Sequence, residues 1–229
     1  MGILTNALVI GLGCLLGGKL RKRQTNYHTL GITIMIISLV GFMENVYNID
    51  GVRITSENLM LVLFAFFLGS KLGDLLKLDQ RLSYAGNTKS ATLNAVIDAT
   101  LYFGVGGLQI SGPIALVLQG DNSQLYIKSL VDIPFALAFG ATYGKAAGLS
   151  AIPVALVQII IAVIVYFSAS IFTTAMVMQL CAVGYIVLFF SGFNLMTDGK
   201  FKINNVNMLP GILLVVLLGI FIQLAERLL

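Results

Sequence analysis

The chain has 229 residues, of which 58% are hydrophobic and 10% are charged, and its formal net charge is +4. Soluble domains average about 25% charged residues, so this composition excludes a soluble globular protein and indicates an integral membrane protein. Because one membrane span takes about 20 apolar residues, the length allows roughly eight spans and no separate soluble domain. The sequence therefore predicts an all-α, polytopic transmembrane helix bundle of about eight spans.

Continuous apolar runs follow one another along the whole chain. Each is longer than the roughly 10 residues of a transmembrane β-strand, so each predicts a membrane-spanning helix. The eight runs cover about residues 3–18, 29–46, 58–74, 91–111, 124–144, 149–171, 174–196 and 206–225.

Basic residues come after the first apolar run and not before it, beginning with Lys19. A secretory signal peptide has its basic residues before the apolar run. We therefore expect an uncleaved first span whose N-terminus lies outside. With this orientation the inner loops would contain eleven of the fourteen basic residues, which supports eight spans and places both termini outside. Those eleven are Lys19, Arg21, Lys22, Arg23, Lys71, Lys77, Arg81, Lys89, Lys145, Lys200 and Lys202.

An internal repeat is visible at low similarity. Asn6 to Lys19 aligns without a gap with Asp132 to Lys145, and the alignment pairs Asn6 with Asp132. Four spans in each half would give two parallel repeats within a single membrane domain, residues 1–112 and residues 113–229. Chance similarity between glycine- and leucine-rich helices explains the same pattern, so both interpretations stay open.

Carboxylates lie well inside the fourth and fifth runs. Asp132 lies about 12 Å from the outer end of its run, and Asp98 lies about 10 Å from the inner end of its run. Their depths are similar, and the two groups would be able to face one cavity. Lys128 lies one turn from Asp132 on the same helical face, with Ser129 beside it, and Asn94 lies one turn from Asp98.

These groups have two interpretations. In the functional one they line a path for a cation or a proton, because ionisable side chains at membrane depth usually face a bundle interior or a water-filled path. In the structural one Lys128 and Asp132 form an ion pair near the outer interface, with Lys128 extended towards water. Other polar groups in the spans, including Gln109 and Gln158, are more typical of hydrogen bonds between helices.

The candidate ion- or substrate-binding set combines these carboxylates with the polar groups at related positions. Asn6 is the repeat counterpart of Asp132, and Asn207 corresponds to Asn94 at the start of the last span of each half. The complete set is Asn6, Asn94, Asp98, Lys128, Ser129, Asp132 and Asn207.

Several other functions are excluded by residue types. His28 is the only histidine, and no Ser/His/Asp set, Cys/His set or phosphate-binding loop can be assembled. We therefore expect no enzyme activity, no cofactor and no metal site. The basic residues lie in short loops, where they report orientation and not nucleic-acid binding. Glycine pairs four residues apart, such as Gly13 with Gly17, Gly69 with Gly73 and Gly140 with Gly144, predict close helix packing within the chain or in a homodimer.

Ordered motifs along the chain resemble one known family. They are ILTNALVIGLGCLLGG, LGSKLGDLL, LYFGVGGLQISG, GDNSQLYIKSLVDIPFALAFGATYG, SAIPVALVQ and NMLPG. They resemble the prokaryotic membrane family called domain of unknown function 554, the YqgA-like proteins. The resemblance implies a bacterial plasma-membrane protein of a family described loosely as transporters, and it supplies no activity or substrate. The chain departs from the family at Asp98, where we expect a neutral residue, and at Ile133-Pro134, where we expect small residues.

Two functional hypotheses follow. The first is transport or conduction of a small cation, or of a proton-coupled small solute, with Asp132, Lys128, Ser129 and Asn6 around a central polar site. The alternative is a non-transporting scaffold or lipid-interacting protein that assembles through its glycine-rich faces. In both cases the lipid bilayer is the main partner.

Overall fold

The computed structural model describes residues 1–19, 27–50, 53–56, 58–85, 90–104, 107–197, 201 and 203–228. Arg21, Lys22 and Arg23 of the predicted first inner loop lie outside these ranges. Within them the chain is helical apart from short connections and one small hairpin. The α-helices are α1 (Gly2–Gly17), α2 (Tyr27–Val46), α3 (Leu59–Leu76), α4 (Leu78–Ala85), α5 (Ala91–Gly104), α6 (Gly107–Gln119), α7 (Ser123–Tyr143), α8 (Ala151–Phe167), α9 (Thr174–Met196) and α10 (Pro210–Leu228).

Short 3₁₀ turns and a hairpin connect some of these helices. The 3₁₀ turns are Lys145–Ser150, Ala169–Ile171 and Asn205–Met208. The hairpin pairs β1 (Asn48–Asp50) with β2 (Arg53–Thr55) in antiparallel register, between α2 and α3. The sequence did not predict the hairpin or α4, because neither is long or apolar enough to resemble a span.

Helix length and hydropathy confirm a polytopic membrane protein. Five helices in the described part of the chain are long and apolar enough to cross a membrane, and the bent pair α5–α6 makes a sixth if it counts as one span. Helix α1 and the Gly31–Val46 part of α2 are also apolar but are shorter. The count of eight spans and the parallel repeat stay predictions.

The fourth predicted span, residues 91–111, differs from the helices of the structure in where it ends. The sequence predicted one span over about residues 91–111. The structure instead has α5 and α6, whose axes differ by 59°, and α6 continues to Gln119. Helix α6 tolerates Pro113 in its interior, although proline removes a backbone donor there.

The chain folds into two compact units that interleave along the sequence. The first unit comprises Met1–Asn26 and Gln80–Phe167, and the second comprises Tyr27–Asp79 and Ser168–Leu229. A sequence repeat and a cluster of packed helices need not coincide, so the repeat boundary after residue 112 stays a prediction.

In the first unit α1 and α7 pack side by side through small residues. A Cβ added to Gly13 would lie 2.5 Å from the Cβ of Ala136, and one added to Gly17 would overlap the backbone of Leu137. From the other side, a Cβ on Gly140 would overlap the backbone of Cys14. The prediction of close packing through these glycines is confirmed within the chain.

In the second unit, glycines likewise allow α3 to pack closely against α10 and the Asn205–Met208 turn before it. A Cβ on Gly69 would overlap Gly211, and one on Gly73 would overlap the backbone of Asn207. Helices α2 and α9 form the other close pair, with Gly31 against Gly192 and Met196. Without these glycines the backbones would be unable to approach so closely.

The first unit has polar groups inside and apolar groups outside. On α8 the side chains of Ile160 and Ile164 are 56% and 60% exposed, whereas Gln158 is 0% exposed. A soluble protein would bury such isoleucines, because exposing them to water is unfavourable. The arrangement is stable in lipid, where the outer face needs no polar groups.

We predict that Gly17→Ala destabilises the protein and that Gly11→Ala does not. At Gly17 the new methyl group would overlap the Leu137 backbone, whereas at Gly11 its nearest neighbour would be the Ala151 Cβ at 3.9 Å. Overpacking costs about 1–3 kcal/mol, and alanine otherwise favours a helix by up to about 1 kcal/mol. Thermal unfolding in detergent should give a lower Tm for Gly17→Ala only, and equal Tm values would contradict close α1–α7 packing.

Candidate functional site

Polar side chains from four helices meet in the interior of the first unit. The Asp132 cluster, as we call it, comprises Asn6 on α1, Gln109 on α6, Lys128 and Asp132 on α7, and Gln158 on α8. None of the five is more than 6% exposed. Such a concentration of polar groups inside an apolar bundle is stable only if the groups bond to one another.

An ion pair forms one end of the cluster. Lys128 Nζ lies 2.6 Å from Asp132 Oδ2, across one turn of α7. Asn6 Nδ2 donates a second hydrogen bond to the same oxygen at 2.7 Å. Bonds to an ionised acceptor are shorter and stronger than neutral ones, so α1 and α7 are tied together at this level.

A chain of amides forms the other end. Gln158 Nε2 donates to Asn6 Oδ1 at 3.2 Å and to Gln109 Oε1 at 2.9 Å. Gln109 Nε2 in turn donates to the backbone carbonyl of Val154 on α8 at 2.9 Å. Gln158 Oε1 is buried and has no hydrogen-bond partner among the described residues.

Helix packing explains why these side chains meet. The glycine contacts between α1 and α7 lie about two to three turns beyond Asn6 and hold the two backbones close enough for its short amide to reach Asp132. Helix α8 runs antiparallel to α1, since Gln158 bonds to Asn6 while Ala151 is the residue nearest to Gly11. The amide on α8 therefore arrives at the same level.

The bend between α5 and α6 lies at the depth of the cluster. Ser111 Oγ of α6 donates to Gln124 Oε1 at 2.7 Å, on the N-terminal side of Lys128 along α7. On the other side, the Phe103 ring at the end of α5 lies 5.5 Å from the Phe139 ring. Asp132 lies between these two levels on α7, and Gln109 is in the first turn of α6.

Three of the predicted site residues are brought together, namely Asn6, Lys128 and Asp132. Ser129 lies beside them on α7 and is buried, but its hydroxyl donates to the Leu125 carbonyl of its own helix at 2.7 Å. The Ser129 hydroxyl therefore bonds within α7 and makes no described hydrogen bond to the cluster.

Asn94 and Asp98 lie on α5 of the same unit, and both are half-buried. No described hydrogen bond joins Asp98 to the Asp132 cluster. Asn207 belongs to the second unit, where it accepts a bond from the Asp79 backbone N–H at 3.0 Å and donates to Asp74 Oδ1 at 2.9 Å. Its described bonds connect the Asn205–Met208 turn to α3 and α4, which is a structural role.

Gln109 and Gln158 are the cluster members that the sequence interpretation left out of the site. It assigned them to hydrogen bonds between helices, and the structure shows such bonds. The signal that pointed to them was a strongly polar amide in an apolar helix; the span that contains Gln158 has a mean hydropathy of 2.6. What the sequence does not contain is the contact between them, since 49 residues separate the two.

Chemically, the cluster provides one carboxylate, one ammonium group and three amides in an apolar setting. No group of three or more histidine, cysteine, aspartate or glutamate side chains that would hold a metal ion occurs among the described residues. A single carboxylate with amide neighbours suits a monovalent cation or a proton better than a divalent metal, which takes several charged oxygen ligands. The Lys128 ammonium group occupies the position beside Asp132 Oδ2 where such a cation would bind.

Comparison with known proteins identifies the family. The chain is 24% identical over 219 residues to the "Uncharacterized membrane protein YdfK" of Bacillus subtilis (strain 168), covering 93% of each chain. It is 25% identical over 227 residues to the "Uncharacterized protein YqgA" of Escherichia coli (strain K12), covering 93% of this chain and 94% of that one. No solved structure matches it. The family model described as "Protein of unknown function (DUF554)" matches residues 1–220, which confirms the resemblance, and the chain therefore belongs to this family of membrane proteins.

Proposed function

We propose that the protein transports or conducts a small cation, or a proton-coupled small solute, through the Asp132 cluster. The observation that carries the proposal is the burial of an ion pair, Lys128 with Asp132, inside an apolar bundle. Ionisable side chains within membrane-spanning segments commonly mark ion or proton pathways. The setting is a bacterial plasma membrane, and no catalytic chemistry is assigned.

Stability alone gives little reason for such a pair. Removing two charges from water costs several kcal/mol for each ion, and their mutual attraction only roughly offsets this cost. An apolar pair of similar volume would hold α7 in place at least as well. The Lys128–Asp132 pair is therefore better explained by a need for charge at this position than by a need for stability.

The bent helix supports the same proposal. Secondary transporters commonly bind their substrates beside interrupted helices, where backbone groups at the break face a cavity in the protein. Here α5 ends at Gly104 and α6 begins at Gly107, at the depth of Asp132. Gln109 brings the first turn of α6 into contact with α8 through Val154.

The helix directions within each unit support eight alternating spans. In the first unit α1 and α7 are parallel, since Gly2 packs on Leu125 and Gly18 on Lys145. In the second unit α3 is parallel to α9, since Gln179 bonds to Asn58 and the Phe66 ring stacks on the Phe190 ring further along both helices. Helix α3 is antiparallel to α10. Alternating spans with both termini outside require these directions, and parallel repeats would give α1 and α7 the same orientation.

The alternative function, a scaffold that assembles through glycine faces, has less support. Gly13, Gly17 and Gly140 all face neighbouring helices of their own unit. The same holds for Gly69 and Gly73 in the second unit. These glycines are therefore already used within one copy of the chain, and none of them is left to pack against a partner.

We predict that Asp132→Asn abolishes flux while the protein still folds. The substitution keeps the shape of the side chain and removes the charge that would hold the cation. Purified protein in liposomes should lose at least about tenfold in cation or proton flux under an imposed gradient, as expected for one lost ionic contact. Asp74→Asn is the matched control, because Asp74 is bonded to Asn207 in the second unit. Normal flux through folded Asp132→Asn would exclude the proposed site.

We also predict the membrane sides of the two ends of α7. A cysteine at Ser123, the first residue of α7, should react with a membrane-impermeant thiol reagent added to intact cells. A cysteine at Lys145, just after the helix, should react only after permeabilisation, because it would lie inside. The native Cys14 and Cys181 are buried and provide no competing signal. Reversed labelling would contradict the proposed orientation.

A further inference from the structure

We propose that the substrate of the Asp132 cluster is a monovalent metal cation, which binds to Asp132 in place of the Lys128 ammonium group while Lys128 swings out towards the N-terminal end of α7. The inference rests on the proposed function for its use in transport, but the exchange of one cation for the other can be measured without flux. It starts from the way in which the Lys128–Asp132 pair uses the carboxylate.

The ion pair occupies one of the two carboxylate oxygens. Lys128 Nζ and Asn6 Nδ2 both bond to Asp132 Oδ2, at 2.6 and 2.7 Å. Within the described part of the chain no hydrogen bond reaches Asp132 Oδ1, and none reaches the buried Gln158 Oε1. The cluster therefore has oxygen acceptors that its own donors leave unused. A metal cation would be able to replace the ammonium group while the described bonds between the amides stay in place.

Charge balance decides the class of cation. A charge in an apolar interior costs several kcal/mol unless an opposite charge accompanies it. The pair of Lys128 and Asp132 is neutral, and α1, α6 and α8 contain no charged residue along their described lengths. Asp98 on α5 makes no described hydrogen bond to the cluster. If one monovalent cation enters as the ammonium group leaves, the site stays neutral, whereas a divalent ion would leave one positive charge unbalanced.

The N-terminal end of α7 offers Lys128 a polar place to go. Lys128 follows Ser123, the first residue of the helix, by five positions, which is about 8 Å along the axis. Lysine side chains this close to a helix end can extend their ammonium groups to the membrane interface. Gln124 lies one turn from Lys128 on the same face, and Asp121 precedes the helix. These groups are polar neighbours for an ammonium group that has left Asp132.

Aromatic rings fill the opposite direction along α7. The Phe139 ring lies 5.0 Å from the Tyr102 ring and 5.5 Å from the Phe103 ring. The Phe135 ring, about one turn beyond the carboxylate, lies 4.8 Å from the Tyr102 ring. Packed rings favour neither a hydrated cation nor an ammonium group. The two cations therefore exchange from the N-terminal end of α7, which is the outer side in the proposed orientation.

Lys128 acts in this exchange as a tethered competitor. The pair is closed in the structure, so the cation binds to the minor fraction of molecules in which Lys128 is extended. The apparent dissociation constant is raised by the inverse of that fraction. If about one molecule in ten or fewer is open, removal of Lys128 strengthens cation binding at least about tenfold.

The first test measures cation binding by thermal unfolding of purified protein in detergent. The salts are lithium, sodium, potassium and magnesium chloride, with choline chloride keeping the ionic strength constant. In choline alone, Lys128→Met should have a lower Tm than the wild type, because Asp132 loses its counter-charge. A monovalent cation should restore that Tm, with an apparent dissociation constant at least about tenfold below the wild-type value. The double variant Lys128→Met/Asp132→Asn should show no cation-dependent shift.

Lys145→Met is the matched control for Lys128→Met. Lys145 is exposed in the 3₁₀ turn after α7, and its loss removes one positive charge without touching the pair. Its apparent dissociation constant should equal that of the wild type. Equal strengthening in both variants would overturn the proposal, since it would report the net charge of the protein. A folded Lys128→Met that responds to no monovalent cation, or that responds as strongly to magnesium, would overturn it as well.

The wild type provides a second measurement if Lys128→Met does not fold. In lipid nanodiscs, acetylation by a water-soluble N-hydroxysuccinimide ester, quantified by mass spectrometry, reports how often Lys128 has left the pair. Lys128 should react slowly in choline chloride and faster as the monovalent cation concentration rises, whereas Lys145 should react equally in both. An unchanged Lys128 rate with every cation would overturn the displacement.

Flux separates this proposal from the proposed function. Cation binding with release of Lys128 but without flux in liposomes would overturn only the transport. Flux of protons or of another solute through a protein that binds no monovalent metal cation would overturn the cation assignment and leave the transport standing.

Discussion

The first unit is organised around the need to partner one buried carboxylate. An ionised group in an apolar interior is stable only with a counter-charge and with hydrogen bonds on its oxygens. Lys128 supplies the charge from the same helix, and Asn6 supplies a donor from α1. The Asn6 amide must then satisfy its own oxygen, which requires Gln158 on α8, and Gln158 in turn meets Gln109 on α6. Four helices are thereby fixed at one level.

Short side chains impose a second requirement, which the glycines fulfil. An asparagine reaches Asp132 only if the two helix backbones lie unusually close. Gly13 and Gly17 on α1, facing Ala136 and Leu137 on α7, permit that approach. The polar cluster and the small-residue packing are therefore two parts of one arrangement: a larger residue in the packing would separate the donor from the carboxylate, and the buried charge would lose a partner.

Local patterns were predictable from the sequence, and distant contacts were not. The apolar runs predicted the long helices, since about 20 such residues have few other stable states. Lys128 and Asp132 were predictable as partners because one helical turn separates them. Asn6 was singled out only through its alignment with Asp132, whereas Gln158, 152 residues away from it, offered no such guide. The bend after Gly104 does have a local signal, since Gly104 and Gly107 flank it and glycine disfavours a continuous helix. The continuation of α6 through Pro113 has none, because proline normally disfavours a helix interior.

The pairing of an asparagine with an aspartate also explains why the site needs only one basic residue. Two facing carboxylates this close would not both ionise, and two asparagines would hold no cation. With one of each, Lys128 neutralises the single charge of Asp132, and the uncharged Asn6 adds a hydrogen bond without adding charge. An amide side chain donates through its nitrogen and accepts through its oxygen. Asn6 is thus suited to donate to Asp132 while it accepts from Gln158, which a second carboxylate or an apolar residue at this position would be unable to do.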